Sequence, residues 1–195
     1  AQFVASWASA PVPTVLRVWQ VRNTHSCWSR YRRYREEVAA ASSNNSPHEE
    51  RRFHGTKMKC NFGIDITQKP CNDQDCNVCA ICEMGFNLDH AANGPRTQQF
   101  SPLKGNLRYD AGLYFSRTSS KSNDYAGTSE RALPSGRQAR IMFLCRVVLG
   151  NELRTKLPRL NSNDIDVQLR ARGNGGRYDS VTGLTAADGG ALNYE

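Results

Sequence analysis

The sequence holds no apolar run approaching the roughly 18 residues that a membrane span requires, so no membrane partner is expected. No Gly-x-Gly-x-x-Gly follows a strand pattern, which argues against a Rossmann fold and against dinucleotide binding at a helix N-terminus. There is no internal repeat and no heptad, which removes repeat arrays and coiled coils. The first residues, Ala1 to Pro13, are small and apolar but lack the basic leading segment of a secretory signal, and they read as a flexible lead-in.

What remains fits one domain, from residue 14 to residue 195, because single domains usually run to about 100–200 residues. With 38% hydrophobic and 23% charged residues and 15 glycines, the composition is that of a soluble globular chain rich in loops. The chain begins without methionine and stops at Leu192-Asn193-Tyr194-Glu195, which reads like the start of a strand with no turn to close it, so a fragment incomplete at its C-terminus is expected. A net charge of +8 raises the question of nucleic acid, and the densest basic stretch is Arg30-Tyr31-Arg32-Arg33-Tyr34-Arg35. Glu36 and Glu37 follow at once and the other cations are dispersed, so a solvated helix face is the better reading and support for a nucleic-acid partner is weak. The surplus also suits a small anionic substrate.

Val15 to Val21 alternates with period two and predicts a strand. Asn23-Thr24 is a helix N-cap candidate, after which Trp28, Tyr31, Tyr34 and Val38 recur at helical spacing as far as Ala39-Ala40-Ala41. Ser42 to Pro47 is a loop by composition, leading into a short segment from Arg51 to Thr56. Later strands are predicted at Gly112–Ser116 and Ala139–Leu149, the second being nearly continuous apolar sequence and the expected central core strand. Between Asn161 and Gly190 long loops are expected around Tyr178-Asp179-Ser180-Val181.

Three segments carry chemistry in combination: Phe53-His54-Gly55-Thr56, then Ala111-Gly112-Leu113-Tyr114-Phe115-Ser116, then Ser119-Ser120-Lys121-Ser122-Asn123-Asp124-Tyr125. Taken singly, His54 reads as a structural histidine, Tyr114 and Tyr125 as core or rim aromatics, and the glycines as turn formers. In this order and spacing they resemble the catalytic domain of the poly(ADP-ribose) polymerase family, with His-Gly-Thr first, then Gly-Leu-Tyr-Phe, then Ser-Lys-Ser with a tyrosine three residues on. Tyr178-Asp179-Ser180-Val181, Gly190-Ala191-Leu192-Asn193-Tyr194, and the opening strand and Arg/Tyr helix are similar to the family as well.

The resemblance implies an α+β ADP-ribosyltransferase fold, two packed, mostly antiparallel sheets with flanking helices and an NAD cleft between them. It implies that the Gly55 peptide pairs with the nicotinamide carboxamide, helped by the Ser122 hydroxyl, and that Tyr114 and Tyr125 hold the pyridinium ring between aromatic faces. His54 then holds the adenosine-side ribose, and Lys121 pairs with a carboxylate or steers the ligand. The family's catalytic glutamate stabilises an oxocarbenium-like ribose. Aligning Tyr194 sets Glu195 one position before that glutamate, whereas a one-residue slip makes Glu195 the catalytic group. The implied activity is transfer of ADP-ribose from NAD to a macromolecular acceptor, a protein in the first instance. Transfer to water and a non-catalytic, zinc-stabilised interaction module are the alternatives. The implied compartment is intracellular, nuclear or cytoplasmic.

Five of the seven cysteines, Cys60, Cys71, Cys76, Cys79 and Cys82, crowd into one insertion spanning 60–82. Cys76-Asn77-Val78-Cys79 is a two-thiolate knuckle that Cys60 and Cys71 can complete as a tetrahedral structural Zn²⁺ site, with Cys82 a rival fourth ligand. Asp65 to Asp75 is polar and has little core of its own, so a metal could supply the order that burial does not. Ile81, Met84, Phe86 and Leu88 predict a helix from about Val78, which makes Cys82 alternatively a small buried residue on the face of Cys79. Some fungal and plant-like relatives in the family carry a similar Cys-rich insertion after His-Gly-Thr. Reduced core thiols or a disulfide are the competing readings.

Overall fold

The computed structural model describes residues 2–8, 11–88, 91, 107–109, 112–126, 130–161, 163–165 and 178–192. Their contacts divide the chain into two units, one made of Ala1–Tyr31, Arg51–Gly85 and Phe115–Arg146, the other of Arg32–Glu50, Phe86–Tyr114 and Val147–Glu195. The helices are α1 (Gln2–Ala5), α2 (His25–Ala41), α3 (Asn77–Met84) and α4 (Ser119–Ala126). The strands are β1 (Glu49–Gly55), β2 (Arg131–Ala132), β3 (Gln138–Ala139), β4 (Met142–Val148), β5 (Glu152–Thr155) and β6 (Ser180–Gly183). Helices and short separate sheets in one chain make the class α+β.

Helix α2 starts where the sequence places it: the Thr24 hydroxyl accepts the Cys27 N–H at 3.2 Å, satisfying one of the donors that the first turn leaves without a partner. Strand β1 pairs with β4, β2 pairs antiparallel with β3, and β5 pairs parallel with β6 in the register Leu153↔Val181.

Three strand expectations change. Val15–Val21 is not a strand; Val18 is 86% exposed, and the segment is held by the Trp19 indole N–H on the Gly63 carbonyl (2.8 Å) and by Arg17 on that of Ile64 (3.3 Å). Alternation alone does not make a strand, which needs a neighbouring edge to satisfy its backbone. Gly112–Ser116 reduces to a single antiparallel bridge between Ser116 and Phe53, with Ala111 outside the described residues. The run Ala139–Leu149 breaks into β3 and β4, and β4 alternates in burial instead of being covered on both faces, with Leu144 exposed. The segment read as a flexible lead-in also acquires structure: Gln2–Ala5 forms a helical turn, the Ser119 hydroxyl donates to the Phe3 carbonyl (2.7 Å), and the Phe3 ring meets Phe53 edge-on at 6.2 Å.

In the first unit the core gathers around the cysteine segment. Met58, Cys76, Val78 and Cys79 are buried together, with Cys60, Phe62, Ile64, Cys71, Ile141 and Phe143 packed against them. In the second unit Val38, Val148, Leu149, Leu153 and Leu160 are buried. There the Asp179 carboxylate accepts the Asn151 N–H (2.9 Å), the Asp179 N–H returns a bond to the Asn151 carbonyl (2.9 Å), and the Ser180 hydroxyl donates to the Leu149 carbonyl (2.7 Å). These bonds hold Tyr178-Asp179-Ser180-Val181 to the end of β4. The turn between β4 and β5 passes through Gly150 at φ +57, where an added Cβ would lie 2.7 Å from both the Asp179 Cβ and the Val38 Cγ1. A side chain there meets both a left-handed backbone and a filled space, so Gly150→Ala is expected to lower unfolding free energy by about 2 kcal/mol or more, read as a shift in the urea midpoint at unchanged slope.

Candidate functional site

The end of β1 delivers Phe53-His54-Gly55-Thr56, and two backbone bonds fix what lies beside it. The Phe53 N–H donates to the Ser116 carbonyl at 2.7 Å, and the Ser116 N–H returns a bond to the Phe53 carbonyl at 3.0 Å. This bridge brings the Phe115-Ser116 end of the second motif to the first, and the His54 and Phe115 rings lie 5.5 Å apart. The chain then turns through Thr118, whose N–H donates to the Ser116 hydroxyl (3.1 Å), into α4.

Helix α4 buries Ser119, Ser120, Ser122 and Ala126, a face of small side chains that lets another backbone come close. Gly55 is the backbone that does so. A Cβ built on it would lie 2.8 Å from the carbonyl carbon of Ser122 and 3.0 Å from the amide nitrogen of Ala126, closer than any side chain tolerates against peptide atoms. The backbones of the glycine and the serine to which the family resemblance assigns one carboxamide are therefore adjacent. On the same helix, the Lys121 ammonium lies 5.7 Å from the Tyr125 ring centroid, and Tyr125 is more than half exposed. Tyr114 belongs to the second unit, where its hydroxyl accepts the Tyr109 N–H at 3.1 Å. Glu195, with Asn193 and Tyr194, lies outside the described residues.

A profile of the poly(ADP-ribose) polymerase catalytic domain matches residues 74–187, more than half of the chain. The chain belongs to the poly(ADP-ribose) polymerase catalytic-domain family. Its general chemistry is NAD-dependent ADP-ribosyl transfer, with NAD as substrate. The matched span contains Tyr114, Lys121, Ser122 and Tyr125, while His54 and Gly55 precede it and are tied to it by the packing on α4. No curated protein sequence matches the chain. Among the described residues, no helix of this family member is long and apolar enough to cross a membrane.

The cysteines form a second cluster. Cys60, Cys71, Cys76 and Cys79 have their sulfur atoms within 4.8 Å of one another, and Cys82 is not among them. Cys60 Sγ lies 3.4 Å from Cys79 Sγ and 3.8 Å from Cys76 Sγ. A tetrahedral Zn²⁺ with sulfur at about 2.3 Å sets sulfur atoms about 3.8 Å apart, close to the separations of Cys60 from Cys76 and Cys79, so the cluster is compatible with that ion. The Lys59 N–H points at Cys76 Sγ and the Cys71 N–H at Cys79 Sγ, both at 3.3 Å. Burial pushes the Cys76 thiol up, but the N–H groups of Lys59 and Cys79 and the neighbouring thiols outweigh it and bring it down to about 7. Burial prevails at the neighbouring Cys79 thiol, which it pushes up, and outside the cluster it pushes Cys82 up to about 11 and Cys145 to about 12. Beside the cluster opens a hollow of about 440 Å³ lined by Lys57, Met58, Lys59, Asp75 and Arg131.

Two residues escape sequence reasoning. The Asn77 amide donates to the Thr56 hydroxyl at 2.9 Å, and Arg131 donates to the carbonyls of Met58 and Cys60. Neither has a local signature, because each acts on a segment distant in the chain. From the packing on α4, Gly55→Ala is expected to destabilise the chain by about 1–3 kcal/mol through overpacking, whereas Lys57→Ala at an exposed position stays within about 0.5 kcal/mol. Equal denaturation midpoints for the two variants would show that Gly55 is not pressed against α4.

Proposed function

We propose that this chain binds NAD in a cleft built on Gly55 and α4, cleaves the nicotinamide–ribose bond, and transfers ADP-ribose to a macromolecular acceptor, a protein in the first instance. The observation that carries the reading is the close approach of Gly55 to the Ser122–Ala126 backbone, which unites two motifs far apart in sequence. In this reading the Gly55 N–H and C=O pair with the nicotinamide carboxamide, and the Ser122 hydroxyl adds a third bond. Tyr125 supplies an aromatic face for the pyridinium cation, a contact contributing about 0.5–2 kcal/mol. His54 holds the adenosine-side ribose, Lys121 steers the anionic ligand, and the two-sheet arrangement of the family encloses the cleft.

The reaction follows from that grip. As the glycosidic C–N bond breaks, its electron pair passes to nicotinamide, which leaves neutral, and positive charge builds on the ribose. A carboxylate beside the sugar stabilises that charge, Glu195 or the residue after it by the family's Tyr-x-Glu pattern. The acceptor nucleophile then bonds to the anomeric carbon and releases a proton.

We further propose that Cys60, Cys71, Cys76 and Cys79 hold one structural Zn²⁺. The support is the sulfur spacing and the two N–H groups aimed at sulfur, which stabilise thiolates over thiols. Such a centre requires reduced thiols, the condition of an intracellular compartment.

Two outcomes follow. At about 100 times its Kd, a nicotinamide-mimicking carboxamide should stabilise the chain by about 2.7 kcal/mol, a rise in Tm of about 5–10 °C for a domain of this size. No shift at saturating dose refutes the cleft. Elemental analysis should find about one zinc per chain, and Cys71→Ser should lower both zinc content and Tm, whereas a fully folded, metal-free chain refutes the structural site.

A further inference from the structure

We propose that Asn77 is a positioning residue that ties the four-thiolate centre to the His-Gly-Thr segment, so that metal occupancy sets the affinity of the nicotinamide site. The inference rests on the NAD and zinc readings given above and goes beyond them by coupling the two sites.

The coupling is visible as an unbroken run of contacts along Thr56–Cys60. The Thr56 hydroxyl is held by the Asn77 amide at 2.9 Å, and the Lys57 carbonyl accepts the Val78 N–H at 3.2 Å. Met58 is buried to 1% exposure among Cys76, Val78 and Cys79, and its carbonyl accepts from Arg131. The Lys59 N–H points at Cys76 Sγ, and Cys60 is itself a member of the thiol cluster, with its carbonyl 3.3 Å from Arg131 Nε. Every residue between Gly55 and the first cysteine is thus fastened to the knuckle, to its core or to Arg131. Gly55 comes next in the chain and has no freedom to absorb a displacement, because its backbone is pressed on α4.

Asn77 occupies the point where the two sites meet. It lies between Cys76 and Cys79 and is the first residue of α3, so a metal held by those thiolates would fix its backbone, while its side chain reaches the residue that follows Gly55. Removing the metal frees the knuckle and, through Asn77 and Val78, the peptide that receives the carboxamide. Thermodynamic linkage makes the effect mutual: a carboxamide that binds better to the zinc-loaded chain raises zinc affinity by the same factor.

Benzamide affinity by calorimetry and zinc content by elemental analysis test this on the full chain, in the zinc-loaded form and after chelation. The zinc-loaded chain is expected to bind benzamide more tightly than the chelated chain. Asn77→Ala is expected to keep its zinc and yet bind benzamide about threefold to tenfold more weakly, the loss of one hydrogen bond at a half-buried site. Thr56→Val removes the same bond from the other side, and the Asn77→Ala, Thr56→Val double variant should be no weaker than either single one. Should Asn77→Ala not fold, Thr56→Val carries the comparison. Unchanged benzamide affinity in these variants with zinc retained, or equal affinity with and without zinc in the unaltered chain, overturns the coupling alone. Absence of benzamide binding by the unaltered, zinc-loaded chain overturns the nicotinamide reading and the coupling with it.

Discussion

Helix α4 lies against the end of β1 through backbone contact, a distance at which even one methyl group collides with peptide atoms. Both partners are built for it: Gly55 offers no side chain, and α4 turns Ser119, Ser122 and Ala126 toward the interior. Most helix–strand contacts are spaced by side chains and tolerate exchange among them. This one is not, and the candidate carboxamide site inherits its geometry from it. The Phe53–Ser116 bridge and the bonds from Thr118 onward set where α4 begins, so the same contact also determines how Lys121, Ser122 and Tyr125 are presented.

The cysteine segment supplies the complementary constraint. A polar stretch such as Asp65–Asp75 buries little apolar surface, and the first unit places thiols where a larger protein would place branched aliphatic side chains. Sulfur supplies small buried apolar volume in this arrangement, and the four thiols are grouped closely enough to be compatible with a metal ion. Arg131 belongs to the same economy. It satisfies the carbonyls of Met58 and Cys60, whose segment runs as a loop without a strand partner to do so.

The second unit solves a different problem with similar means. Its β5–β6 pair is parallel, and parallel strands cannot be joined by a tight turn, so the chain between them is long. Asp179 and Ser180 bind β6 back to the end of β4, and the tight turn at Gly150 leaves room for Asp179 against Val38.

Whatever rests on neighbours in sequence was legible in the sequence itself. The Thr24 cap, the helical spacing of α2, the helix beginning in the Cys76–Cys79 knuckle, and the four cysteines that gather are all set by intervals of a few residues, or by side chains whose chemistry has few alternatives. The ordered motifs also identified the family, because spacing along the chain survives independently of the fold. Tertiary structure decided the rest. Val15–Val21 has the alternation of a strand and is not one, the apolar run at Ala139–Leu149 is broken and covered only in part, and the core of the first unit lies among cysteines. The physical reason is common to all three: a strand or a core exists only when a distant partner satisfies its backbone and covers its apolar face, and no local pattern states which partner that is.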